Sequence, residues 1–278
     1  MASGPLVSAG QLAAELAGPA PPAVLDCRWE LAGGADRAGY DRAHLPGAVF
    51  VDLDRDLSGP PGAGGRHPLP RPEAFQAVMR RAGVAQHRPV VAYDQGQPGG
   101  AARAWWLLGW FGHPGARVLD GGLPAWVAAG LPLTAAVPDP EPGDFTARPG
   151  GRPVLDAAGA AELAATGVLL DARAPARYQG LEEPVDPVAG HIPGARNAPV
   201  TDLAGDPGLP PPGRLRELLE AHGVGDGTPV GAYCGSGVVA AQLVLALEVA
   251  GLPAALYPGS WSEWVADPSR PVATGPTP

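Results

Sequence analysis

The 278-residue chain carries 19 basic and 28 acidic side chains, a formal charge of −9 at pH 7, so it lacks the positive surplus that would hold nucleic acid. Every basic residue is arginine, which excludes Schiff-base chemistry on a lysine amine and a phosphate-loop lysine. Gly and Pro are abundant, at 41 and 36, yet 45% hydrophobic and only 17% charged residues suit buried cores, and two cysteines are too few for a disulfide framework or an all-thiolate zinc site.

Met1 to Trp29 has no positive charge before Arg28, so the basic start of a secretory signal is missing. The longest apolar stretches, 104–111 and 238–249, are shorter than a membrane span and broken by Gly109 or by Gln242 and Glu248. A soluble cytoplasmic protein with reduced thiols and no membrane partner is the expectation. Along the chain, a strand ends at Asp26-Cys27. A helix follows over Glu73 to Arg81, a strand over Val90 to Tyr93 and a helix over Ala101 to Phe111; then come a strand over Val168 to Asp171 and helices over Arg214 to His222 and Val239 to Ala250.

These elements recur. Leu25-Asp26-Cys27-Arg28, Tyr40 and His44-Leu45-Pro46-Gly47-Ala48 match Leu170-Asp171-Ala172-Arg173, Tyr178 and His191-Ile192-Pro193-Gly194-Ala195. Pro89 to Asp94 matches Pro229 to Cys234, and Leu119-Asp120-Gly121 with Trp126 matches Tyr257-Pro258-Gly259 with Trp264. Offsets from 147 (His44 to His191) down to 138 (Asp120 to Pro258) are a domain length. Two copies of one α/β domain are therefore expected, residues 1–135 and 154–278, joined by a linker over 136–153 whose prolines forbid a continuous helix. Strands separated by helices imply in each copy a parallel sheet with helices on both faces, and chemistry at the carboxyl ends of the strands.

The residue after Tyr233 is Cys234, followed by Gly235-Ser236-Gly237-Val238-Val239 and a helix. Two glycines let such a loop curl so that N–H groups and the helix start converge on one anion. A free thiol is only a few per cent ionised at pH 7, and shifting its pKa by roughly two units, about 2.7 kcal/mol, would make it mostly thiolate. A plain buried thiol is the bland reading of Cys234, and a strand-end position before such a loop argues against it. That bland reading suits Cys27, whose counterpart is the unreactive Ala172. A cysteine phosphatase needs an arginine six residues after the nucleophile; Ala240 stands there, so sulfur transfer is favoured.

At these residues the chain resembles the tandem-domain rhodaneses and 3-mercaptopyruvate sulfurtransferases. The paired His-Leu/Ile-Pro-Gly-Ala segments, Asp120-Gly121-Gly122 with Trp126, Gly259-Ser260-Trp261-Ser262-Glu263-Trp264 and the Cys234 loop carry the likeness. The resemblance implies two rhodanese-like domains, a non-catalytic first with Asp94 at the cysteine position and a catalytic second. It implies a persulfide on Cys234 formed from a small-molecule sulfur donor and passed to a small thiol, thioredoxin or cyanide, without metal or cofactor. The loop residues Gly235, Gly237, Val238 and Val239 would bind substrate, and Ser236, His67 and Asp54 would form a proton relay, the last two from the first copy.

Two features of the resemblance pull the donor in different directions. Gly235-Ser236 suits mercaptopyruvate, whereas the two arginines that would hold its carboxylate are reduced to Arg177, with Asp186 at the second position; Val239 also replaces a hydroxyl residue. Mercaptopyruvate is favoured over thiosulfate because the loop lies nearest the reacting sulfur. Arg177 alternatively pairs with Glu182 or Glu183 on the surface, and His67 alone reads as an exposed loop histidine. His44 and His191 recur in both copies and read as architectural, and Trp105, Trp106 and Trp110 read as packing. A docking module without catalysis and a single-turnover sulfur carrier are the alternatives; a monomer is expected.

Overall fold

Four-residue runs of buried, largely branched side chains such as Val90-Val91-Ala92-Tyr93 have no polar face to show water, so they sit inside parallel sheets covered on both sides. The computed structural model describes residues 4–96 and 99–278, which divide by contact into two units. The first comprises residues up to Gly59, Leu69–Arg152 and Asp206–Gly208; the second comprises Pro60–Pro68, Pro153–Gly205 and Leu209–Pro278.

In chain order the first unit contains β1 (Leu6–Val7), α1 (Ala9–Leu16), β2 (Ala23–Asp26), β3 (Trp29–Glu30), β4 (Gly34–Ala35), α2 (Arg37–Arg42), β5 (Ala48–Phe50), α3 (Leu53–Asp56), α4 (Pro72–Arg81), β6 (Val90–Tyr93), α5 (Gly100–Trp110), β7 (Ala116–Leu119) and α6 (Gly122–Ala128). Its main sheet runs β1-β7-β6-β2-β5, every pair parallel. α1 starts where Ser8 and Gln11 form a reciprocal cap, and α4 starts on Pro72, whose missing N–H costs nothing at a helix start. Val24, Val91, Leu119 and Trp126 meet in the core.

The second unit repeats the plan with α7 (Ala157–Thr166), β8 (Val168–Asp171), α8 (Pro175–Tyr178), β9 (Arg196–Asn197), a 3-10 turn (Val200–Leu203), α9 (Pro212–Glu220), β10 (Val230–Tyr233), α10 (Val239–Val249), β11 (Ala255–Leu256) and α11 (Ser260–Trp264). Its parallel sheet runs β11-β10-β8-β9, the order of β7-β6-β2-β5 again. Both units are α/β domains, each with a parallel sheet flanked by helices. Among the described residues, no helix is long and apolar enough to cross a membrane.

Two boundaries differ from the sequence expectation in an instructive way. The proline-rich stretch before Pro153 is extended but packs on the first unit, where Phe145 is buried against Phe75 and Gly143 donates its N–H to Arg80 O at 2.8 Å. Residues Pro60–Pro68, early in the chain, group with the second unit, so His67 belongs to the unit of Cys234.

The recurring histidines hold loops. His44 Nδ1 lies 2.7 Å from Tyr40 O, and His191 Nδ1 lies 2.8 Å from Tyr178 O; each ring stacks on the tyrosine of the same unit. Trp105 and Trp106 are buried in the first unit, with the Arg152 guanidinium 3.9 Å over the Trp105 ring.

Candidate active site

β10 delivers Cys234 to the carboxyl edge of its sheet, and the chain then turns through Gly235-Ser236-Gly237-Val238 into α10. Cys234 is 3% exposed, and its Sγ accepts the N–H of Gly237 at 3.1 Å. The turn demands glycine there. Gly237 has φ +78°, and a Cβ at this point would lie 2.4 Å from Pro258 O. Val238 is buried and, as the N-cap residue of α10, which opens at Val239, makes no side-chain cap hydrogen bond.

The segment around α11 clamps the loop backbone. Cys234 N–H donates to Ser260 Oγ at 3.1 Å and Ser260 Oγ donates to Tyr257 O at 2.9 Å. The N–H groups of Trp261 and Ser262 donate to the carbonyls of Cys234 and Gly235 at 3.0 and 2.9 Å. Ser260 adopts φ 53°, a left-handed conformation costing a serine about 1–2 kcal/mol, which these bonds offset. Its place in the Gly259 to Trp264 motif was legible in the sequence; its grip on the Cys234 amide was not.

Ser236 and His67 come together as expected, with His67 Nδ1 at 2.7 Å from Ser236 Oγ. The segment bearing His67 is docked on α11: Gly65, at φ +94°, leaves no room for a Cβ, which would lie 2.7 Å from Gly259 O, and Arg66 N–H donates to Ser262 Oγ at 3.1 Å. Asp54 lies on α3 of the first unit, where both carboxylate oxygens lie 3.2 Å from Trp29 Nε1.

Arg177 stands on α8, and its Nε and Nη2 donate to Glu183 at 3.0 and 2.5 Å, with Asp186 3.3 Å from Nη2. The pairing with Glu183 anticipated for a surface arginine exists, but it is buried, the Glu183 side chain being 4% exposed. Asp186 accepts from Arg66 Nη1, so its charge is matched by a guanidinium that the nine-residue spacing did not reveal. Burial pushes the Asp186 carboxyl up, and Arg66 and Arg177 reverse this only in part against the nearby Glu183. Burial also pushes Glu183 up, but Arg177 and the N–H groups of Asp186 and Val185 outweigh it and hold that carboxyl low. Both guanidinium groups face Gly235: a Cβ there would lie 2.7 Å from Arg66 Nη2 and 3.6 Å from Arg177 Nη1.

In the first unit the corresponding residue is Asp94, whose carboxylate accepts the N–H groups of Gly96 and Ala101 at 2.8 and 3.0 Å. Burial pushes the Asp94 carboxyl up against the pull of these donors. Cys27 is fully buried, and burial together with Asp26, Asp94 and Asp56 pushes its thiol well up, which disfavours a nucleophilic thiolate. Among the described residues no group of three or more His, Cys, Asp or Glu is arranged to hold a metal.

The rhodanese-like domain family matches residues 8–129 and 156–267. A Pseudomonas aeruginosa protein provisionally named 3-mercaptopyruvate sulfurtransferase is 49% identical over 286 residues, covering 99% of this chain and all of its own. A Mycobacterium tuberculosis protein provisionally named thiosulfate sulfurtransferase SseB is 47% identical over 277 residues, covering 97% of each chain. The crystal structure of the 3-mercaptopyruvate sulfurtransferase SseA from Escherichia coli superposes with a TM-score of 0.81 at 34% identity, covering 94% of this chain and 100% of that one.

Proposed function

Because the chain belongs to the rhodanese-like family, as a tandem-domain sulfurtransferase acting through a cysteine nucleophile, we propose that Cys234 is that nucleophile and 3-mercaptopyruvate its preferred donor. The supporting observation is the Cys234 sulfur accepting the Gly237 N–H, with the Ser236–His67 pair on the same loop. The thiolate attacks the donor thiol sulfur, the carbon–sulfur bond breaks, and its electron pair leaves on carbon as the pyruvate enolate. A proton reaches that carbon through Ser236 and His67, giving pyruvate and a Cys234 persulfide. A thiol acceptor, whether a small thiol or thioredoxin, or else cyanide, then attacks the outer sulfur and releases the Cys234 thiolate.

The loop amide and the start of α10 supply fixed positive dipoles where the sulfur charge sits in both steps, which is worth most in a buried site. Asp54, on α3 of the first unit, enters this reading through the resemblance alone. The related proteins carry both donor names; the uncharged Gly235-Ser236 pair favours the mercaptopyruvate reading over a dianion.

Intact mass after brief exposure to 3-mercaptopyruvate or thiosulfate tests the proposal, with Cys234→Ser as control. A gain of one sulfur atom, lost in the variant and removed by added thiol, is expected, and it forms faster with 3-mercaptopyruvate. No gain with either donor overturns the assignment of Cys234. Repeated turnover with excess donor and acceptor distinguishes the enzyme from a single-turnover carrier.

A further inference from the structure

We propose that Ser260 is a positioning residue for sulfur transfer, whose hydroxyl fixes the peptide plane from which the Cys234 side chain leaves the backbone; this rests on the reading of Cys234 as the nucleophile above. The first unit supplies the control. At the 138-residue offset that relates Asp120 to Pro258, Gly122-Leu123-Pro124 corresponds to Ser260-Trp261-Ser262. One tie to the loop is common to both units: Leu123 N–H donates to Asp94 O at 2.8 Å, and Trp261 N–H donates to Cys234 O at 3.0 Å. The second unit adds two more, Cys234 N–H to Ser260 Oγ and Ser262 N–H to Gly235 O. Gly122 has no hydroxyl and Pro124 no N–H, so the first unit can make neither.

Backbone strain points to the same residue. Gly122 and Ser260 hold nearly the same left-handed conformation, at φ +56° and 53°, which is free of cost for glycine and strained for any residue with a Cβ. A Cβ on Gly122 would lie 2.5 Å from Asp94 O, whereas the fully buried Ser260 sets its side chain against Cys234 N–H. The unit with the cysteine thus keeps a strained serine where the unit without it keeps glycine. Strain held at one of two matched positions, and next to the reacting residue, is the pattern of a device that serves geometry at a site.

The geometry is directional. The hydroxyl has one proton, and Ser260 gives it to Tyr257 O at 2.9 Å, so toward Cys234 N–H it can only accept. That bond sets the plane of the Tyr233–Cys234 peptide. The next two planes are set by Trp261 and Ser262 through the carbonyls of Cys234 and Gly235. Because N–H and C=O point opposite ways in a trans peptide, the N–H groups of Gly235 and Ser236 are turned away from α11. Sγ must lie in line first with the donor and then with the acceptor, and a sulfur on a fixed plane meets both without further ordering.

The test compares two variants of the full-length chain: Ser260→Ala loses the hydroxyl and keeps the strain, and Ser260→Gly loses both. The glycine variant melts above the alanine variant, because only glycine is unstrained at this φ. Assayed well below both melting temperatures, the two lose kcat together by about 10–100-fold, the scale of a small misplacement of reacting atoms, with KM for 3-mercaptopyruvate changed by less than about threefold. The loss is equal with 3-mercaptopyruvate and thiosulfate, since the sulfur and not the donor's proton is misplaced. A loss confined to 3-mercaptopyruvate places Ser260 in the proton relay and overturns the proposal. Activity that follows the melting temperatures, with the glycine variant near wild type, gives Ser260 a role in folding alone and also overturns it. Where the alanine variant is too unstable to assay, the glycine variant decides by itself. Wild-type protein that gains no sulfur from either donor overturns the reading of Cys234 along with this proposal; sulfur gain in the wild type with unimpaired turnover in a folded variant overturns this proposal only.

Discussion

At the head of the loop after β6 the Asp94 carboxylate accepts the N–H groups of Gly96 and Ala101, while at the head of the loop after β10 the Cys234 sulfur accepts that of Gly237. Both loops leave matching strands and run into matching helices, so each presents backbone donors that need an anion. In the first unit the chain supplies a carboxyl group fixed to its own side chain. In the second it supplies a sulfur whose outer partner can come and go. The difference teaches that an anion cradle is reactive only when its resident acceptor can also form and break a covalent bond.

The comparison breaks first at the cysteines. Cys234→Ser is expected to abolish sulfur gain by mass and to lower turnover by about 10³-fold or more, since the other thiol, Cys27, is fully buried with its pKa pushed up. Cys27→Ser leaves the sulfur gain intact; a persulfide on Cys27 would mean that the first unit is also catalytic. The relay comes next. Ser236→Ala and His67→Gln each lower 3-mercaptopyruvate turnover by about 10²-fold, the scale of general acid–base assistance, and lower thiosulfate transfer much less, because departing sulfite needs no proton. Equal loss with both donors would assign the pair to binding rather than to proton transfer.

On the non-catalytic side, Asp94→Ala strands the buried Ala101 N–H and the half-buried Gly96 N–H and is expected to lower unfolding stability by about 2 kcal/mol in urea titration while leaving kcat unchanged. A fall in kcat of the folded variant would tie the first loop to the chemistry. The smallest effect is on pH. His113 in the first unit has Nε2 3.1 Å from Ala85 O and accepts the Gly115 N–H on Nδ1 at 3.2 Å, an arrangement that requires the neutral ring. Burial lowers its pKa, as it does for His191 in the second unit. The unfolded chain therefore takes up these protons first, so their contribution is fully present above about pH 6.5 and is lost as pH falls through that value and below. The urea midpoint should drop from about pH 7.5 to about pH 5.5, and His113→Gln should flatten that drop.

The architecture was legible because duplication writes the same fold twice: Val90 to Tyr93 and Val168 to Asp171 are strands over those same residues. Helices expected from Glu73, Ala101, Arg214 and Val239 form within two residues of those starts. Cys234 could be read from the repeat and the glycine loop after it, and Ser236 and Arg177 only through the resemblance. Arg66 could not. Counting along one segment finds residues on that segment, and the second guanidinium arrives from a stretch far away in sequence that only folding brings to Gly235. Ser260 escaped for a different reason: a serine after Gly259 reads as an ordinary helix start, and its left-handed backbone is set by the loop it supports.

The grouping of Pro60–Pro68 with the unit that holds Cys234 bears on how the gene can be divided. A fragment starting at Pro153 would encode the nucleophile, its loop and α11, and would omit the histidine paired with Ser236 and the arginine paired with Asp186. Cutting at the proline-rich joint therefore separates a thiol from its own accessories. The first half has no nucleophile at Asp94, but deleting it would remove part of the catalytic half, and this ties the two halves together in inheritance more firmly than a flexible joint would.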